Sequence, residues 1–179
     1  METKQQIEAI ETILEPWKET IGNDFIAYKN HVYRMTHFCL ALGGGSDTVL
    51  HKVAIAACHH DIGIWTDNTV DYLPPSAEKA REYLVENDRE AWTEEILAMI
   101  NDHHKVRAVR DAPSPLVETF RRADLVDVSL GLIRFGLPKA YINVVKSLFP
   151  NAGFHRRLNE LSLAWFLRHP LNPVPFMKW

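Results

Sequence analysis

The chain has 179 residues, 46% hydrophobic and 24% charged, with a formal net charge of −3. That length suits one domain with its own core, and the mild acidity offers no basic field to a nucleic-acid polymer or an anionic membrane. Cys39 and Cys58 lie in apolar stretches and read as core thiols, and nothing in the sequence suggests a disulfide framework or a Cys-based zinc site.

The start, "METKQQIEAIETIL", is charged and periodic, unlike a secretory leader. Ile7, Ile10, Leu14 and Trp17 recur at steps of three and four and predict a striped helix that Pro16 kinks or ends. Asp24 is placed to cap a second helix to about Leu42, stopped by the glycines at 43–45. Ser46 or Asp47 can cap a third, from Thr48 into "HHD" at 59–61. A loop is predicted from Gly63 to Pro75, then helices over 76–86 and 89–105. Ser114 and Pro115 form a cap and first-turn pair for a helix to about Leu130. Further helices are predicted over 138–148 and 152–168, and the ending "HPLNPVPFMKW" is too rich in proline to be helical throughout. No stretch alternates with period two, and no apolar run approaches the roughly 20 residues of a membrane span. The expectation is one all-α domain over 1–179, a helical bundle in the cytoplasm.

The run "KVAIAACHHDIGIW" carries the functional signal. Its apolar half reads as buried on nearly every side, yet it ends in three titratable residues. Buried imidazoles and carboxylates are costly unless paired or bound to metal. His60 and Asp61 can converge on an ion near the helix end. His31 in "YKNHVYRMTHF" and Asp124 in "FRRADLVDVSL" are ligand-type residues in other helices. Together these four supply two nitrogens and two oxygens and leave positions for water and substrate on Mn, Fe, Co or Ni, with Zn also admissible.

In that order and context, His31, the "HHD" followed by Ile-Gly, and Asp124 after an alanine resemble the H…HD…D signature of the HD-domain superfamily of metal-dependent phosphohydrolases. The resemblance covers roughly residues 25–130. It implies a helical fold around a central divalent ion, Mg among the candidates, with His31, His60, Asp61 and Asp124 as ligands. Residues 131–179 would complete the bundle, or "FPNAGFHRRL" would close over the pocket with His155 or Arg156 reaching a ligand. Some subfamilies carry Lys or Glu three residues after the HD aspartate; here Ile64 stands there, and Asp67 and Asp71 are the nearest substitutes. His103 and His104 resemble the extra histidines of dinuclear members. The histidine those members place between the two motifs is absent, so one metal ion is expected.

The resemblance implies hydrolysis of a nucleotide or other small phosphate ester. Asp61 would orient the attacking water, Arg34 (one turn after His31), with Lys105, would hold the phosphate, and Asp67 or a pocket histidine would protonate the leaving oxygen. His59 is expected beside the ligands or at the surface, His37 and His51 in solvent. Arg107 and Arg122 read as solvated charge, and Trp65 and Tyr72 as packing or a stacking wall. Few basic residues flank the HD loop, which favours a rival: a hydratase or oxygenase acting on a neutral small molecule. A non-catalytic, metal-stabilised ligand-binding module is the other. The partner is a small molecule, and homo-oligomerisation is left open.

Overall fold

Apolar periodicity builds the helices, and proline, glycine and small polar residues end them. The structure is a computed structural model that describes residues 3–172 and 174–177, among which no β-strand occurs. Helix α1 (Glu8–Leu14) buries Ile10, Ile13 and Leu14. Pro16 then tightens the chain into a 3-10 turn, Glu15–Trp17, because a proline ring has no N–H to donate and crowds the preceding turn. The short α2 (Lys18–Ile21) and a second 3-10 turn, Gly22–Asp24, lead into α3 (Phe25–Gly43). Asp24 stands at the cap position of α3 but does not cap it. Its carboxylate instead accepts from Trp65 Nε1 at 3.1 Å and Arg157 Nε at 2.8 Å, tying three distant segments together.

Gly44, at φ +74°, ends α3 in a backbone conformation that favours glycine. Ser46 caps α4 (Asp47–His59) by accepting from the Val49 amide. The predicted loop over 63–75 is partly helical. Gly63–Thr66 forms α5, and α6 (Leu73–Glu86) starts before Ser76 because Pro74 and Pro75 fit its first turn. Gly63 permits this close return: a Cβ there would stand 2.6 Å from the Tyr72 carbonyl. A third 3-10 turn, Glu90–Trp92, precedes α7 (Thr93–Asp102). Ser114 caps α8 (Pro115–Val128), and α9 (Lys139–Leu148) and α10 (Phe154–Arg168) complete the chain. The proline-rich ending is non-helical where described; Met1, Glu2, Pro173, Lys178 and Trp179 lie outside the described residues.

One continuous core joins these helices, with Tyr28, Phe38, Met99 and Phe120 fully buried in it. Each such side chain contributes roughly 1.5–3 kcal/mol through burial. Helix α3 lies along α8 and α4, α7 packs on α4, α6 and α8, and α1 covers α4. Where α3, α4, α7 and α8 converge, the core turns polar: His31, His60, Asp61, His103, Asp124 and Asp127 are all buried.

Candidate metal centre

Each histidine of this cluster is oriented by its outer nitrogen. His31 Nδ1 donates to Asp127 Oδ2 at 2.7 Å, His60 Nδ1 to the Ala57 carbonyl at 2.8 Å, and His103 Nδ1 to the Ile100 carbonyl at 2.7 Å. These acceptors carry no proton, so each Nδ1 must, and each Nε2 is left to present a lone pair to the centre. Phe154 stacks on the His31 ring at 4.2 Å and 19°, holding its plane.

The inner atoms converge. His31 Nε2 and His60 Nε2 are 3.0 Å apart, and Asp61 Oδ2 lies 3.2 Å from His60 Nε2 and 3.8 Å from His31 Nε2. Two nitrogen lone pairs at that spacing repel one another unless a cation lies within reach of both. Metal–nitrogen bonds of about 2.1 Å meeting at about 90° set two nitrogens about 3.0 Å apart, which is the spacing found. Asp61 Oδ1 points the other way, 3.5 Å from His103 Nε2, and neither atom has a hydrogen-bond partner among the described residues. Buried polar atoms are rarely left so, and a divalent ion is what this donor set fits. The atoms that could hold a metal form two groups, His31–His60–Asp61 and Asp61–His103–His104, that share Asp61.

Asp124 adjoins both groups, with Oδ1 3.7 Å from His31 Nε2 and Oδ2 3.8 Å from His104 Nδ1. Burial, with the charges of Asp61 and Asp127 and against the pull of His103, raises its carboxyl from 3.8 to about 7. Burial lowers His31 to about 4, against the pull of Asp127, so its ring is neutral at pH 7.

Of the residues singled out in the sequence, His31, His60 and Asp61 are brought together, with Asp124 beside them. Arg34 is not placed to hold phosphate. Its guanidinium is 2% exposed, forks onto Asp127 through Nε at 2.6 Å and Nη2 at 2.8 Å, and gives Nη1 to the Phe149 carbonyl at 3.0 Å. Asp67 is exposed and accepts from the neighbouring Thr66 hydroxyl, and Asp71 is exposed too. Lys105 pairs with Asp102, and Arg122 with Glu118. His37, expected in solvent, is buried with Nε2 on the Lys4 carbonyl. His51 is exposed as expected. His59 is buried against Tyr83, with Nδ1 on the Ile55 carbonyl. Trp65 packs on Tyr28, while Tyr72 shares a 2.6 Å hydrogen bond with His104 Nε2. His155 sets Nε2 on the Asp127 carbonyl at 3.2 Å, and Arg156 faces Glu160.

Asp127 is the residue that sequence reasoning missed. It holds both His31 and Arg34, and the signal was present: Asp127 follows Asp124 by three residues as Arg34 follows His31, the spacing of one helix face. No family model matches the chain, nor does any curated protein or solved structure.

Proposed function

We propose that the protein is a metal-dependent hydrolase of the HD-domain type, acting on a small phosphate ester with water as the nucleophile. The observation that carries this reading is the pair of bare Nε2 atoms of His31 and His60, 3.0 Å apart beside the buried Asp61 carboxylate. A divalent ion there would lower the pKa of a bound water and polarise an oxygen of the ester. His31, His60, Asp61 and Asp124 would hold it, and the His103–His104 side of Asp61 offers a second position. Asp61, with Oδ1 unpaired, orients the attacking water. The water oxygen bonds to phosphorus as the ester P–O bond breaks, and the proton that the water gives up is balanced by one taken up by the leaving oxygen. The exposed Asp67, turned to the Thr66 hydroxyl, does not face the centre, whereas His104, hydrogen-bonded to Tyr72, belongs to the Asp61–His103–His104 group.

A second reading, hydration of a neutral small molecule at the same centre, is favoured by Arg34. With that guanidinium committed to Asp127, the cation expected to hold phosphate is spent.

The test is elemental analysis of protein purified without added metal, followed by ester hydrolysis assays with several divalent ions. One or two equivalents of a divalent metal per chain are expected, and Asp124→Ala is expected to lose most of it. Full metal retention in Asp124→Ala removes that residue from the site. A metal-loaded protein inert toward every phosphate ester but active on a neutral substrate overturns the phosphatase reading.

A further inference from the structure

Of the five cavities described, one has a residue of the metal cluster in its wall. It measures about 410 Å³ and meets the centre through His104, whose Nδ1 is 3.8 Å from Asp124. Its other walls come from the α5–α6 connection, the end of α8, one face of α10 and Phe176. Three rings meet at one end: Phe176 lies 5.5 Å from Tyr72 at 26° and 4.9 Å from His104, and Tyr72 stands nearly perpendicular to His104. Val128, Leu130 and Leu158 make the rest of the surface mainly aliphatic. Among the described residues, no Lys, Arg, Asp or Glu lines the cavity; the polar side chains there besides Tyr72 are two histidines, Asn159 and Ser162.

We infer that this cavity receives an uncharged, ring-bearing body of the substrate while the reacting bond lies at the metal centre. The inference rests on the metal-centre reading above and adds the substrate class. An aromatic group gains area burial and edge or face contacts with the three rings. A hydrophilic or charged group entering an apolar wall gives up hydration that the wall does not replace. The cavity therefore selects aryl or comparably apolar compounds over sugar-rich ones such as nucleotides, and it does so whether the reacting group is a phosphate or a neutral function.

Binding and turnover separate this inference from the hydrolase reading. The binding probe is 1-naphthol, titrated into the metal-loaded protein by calorimetry. Saturable binding at one site per chain is expected. Ser162→Trp, which fills the cavity from α10, is expected to weaken it at least tenfold. Asn159→Lys, an exposed position that brings a cation to the rim, should weaken it too, while Ser147→Trp, exposed on α9, should not. In turnover, kcat/KM for 1-naphthyl phosphate is expected to exceed that for adenosine 5′-monophosphate at least tenfold, and Ser162→Trp should erase the preference. Absence of naphthol binding, or binding insensitive to both cavity variants, overturns the inference, as does equal turnover of the two esters. Naphthol binding that responds to the variants, with neither ester hydrolysed, supports the cavity assignment and defeats the phosphatase reading instead.

Discussion

The contact that most changes the picture of the site is the Arg34–Asp127 fork. A guanidinium one turn from a ligand-type histidine suggested a phosphate clamp, but burial decides otherwise: the charge needs a partner within the core, and Asp127 supplies both oxygens. Asp127 thereby serves two residues, since the same carboxylate fixes the His31 tautomer. Carboxylate partners of this kind commonly change metal affinity by 10–100-fold. Arg34→Ala should therefore act on stability, not on substrate binding. It leaves Asp127 buried with only His31, and breaking a buried pair in this way costs about 3–5 kcal/mol. Chemical denaturation should show that loss, while KM for any substrate stays near the wild-type value. A stable Arg34→Ala variant with a much raised KM would restore the clamp. At this scale the sequence showed the residue types but not their partners. His31, His60 and Asp61 stood out because they interrupt apolar runs. Arg34 and Asp127 share a face with ligand-type residues, and only the packing of α3 on α8 shows that they face each other.

At the scale of elements, periodicity and caps recovered α3, α4, α8, α9 and α10 to within a few residues. The misses fall where side chains are recruited by tertiary contacts. Asp24 gave up its cap for Trp65 and Arg157, and the prolines of 74–75 began a helix instead of ending a loop. The segment between α7 and α8 shows what such contacts achieve. It follows His103 and His104 directly, and it has little core of its own. Glu118 on α8 accepts from the Val109 amide at 2.9 Å and binds Arg121 through both oxygens, while Arg121 reaches the Lys105 carbonyl at 3.1 Å. Burial opposes the charge on Glu118, but Arg121, the Val109 amide and Arg122 prevail and lower its carboxyl from 4.5 to about 2. A lowered folded-state value means stability that is full above about pH 4.5 and lost as pH falls toward about 2. Glu118→Gln should lose about 1.5–3 kcal/mol at pH 7, the range for hydrogen bonds to charged groups. Its stability should also fall less steeply than wild type between pH 4.5 and 2. An unchanged acid limb in urea titrations at a series of pH values would detach Glu118 from this role.

For the whole molecule, the position of the cluster matters more than its composition. His31 comes from α3, His60 and Asp61 from the end of α4, His103 from the end of α7 and Asp124 from α8, so the donor set exists only when these helices are packed together. The unfolded chain holds those residues far apart in sequence and has no comparable site. A metal that binds the folded form alone stabilises it by RT ln(1 + [L]/Kd), about 2.7 kcal/mol at a hundredfold excess over Kd. For a chain of this size, 1 kcal/mol moves Tm by roughly 2–4 °C, so saturation should raise Tm by roughly 5–10 °C over chelator-treated protein. The chelated state also leaves Asp61 Oδ1 and His103 Nε2 unpaired in the core and brings the His31 and His60 nitrogens together uncompensated. His60→Ala should respond differently: its Tm should be nearly independent of added metal, because the loss removes a ligand common to the closest contacts of the site. Calorimetric scans of both proteins across a metal titration make the comparison. A wild-type midpoint that does not move with metal, or a His60→Ala midpoint that moves as far, would mean that the four-helix junction is held by its own hydrogen bonds and not by an ion.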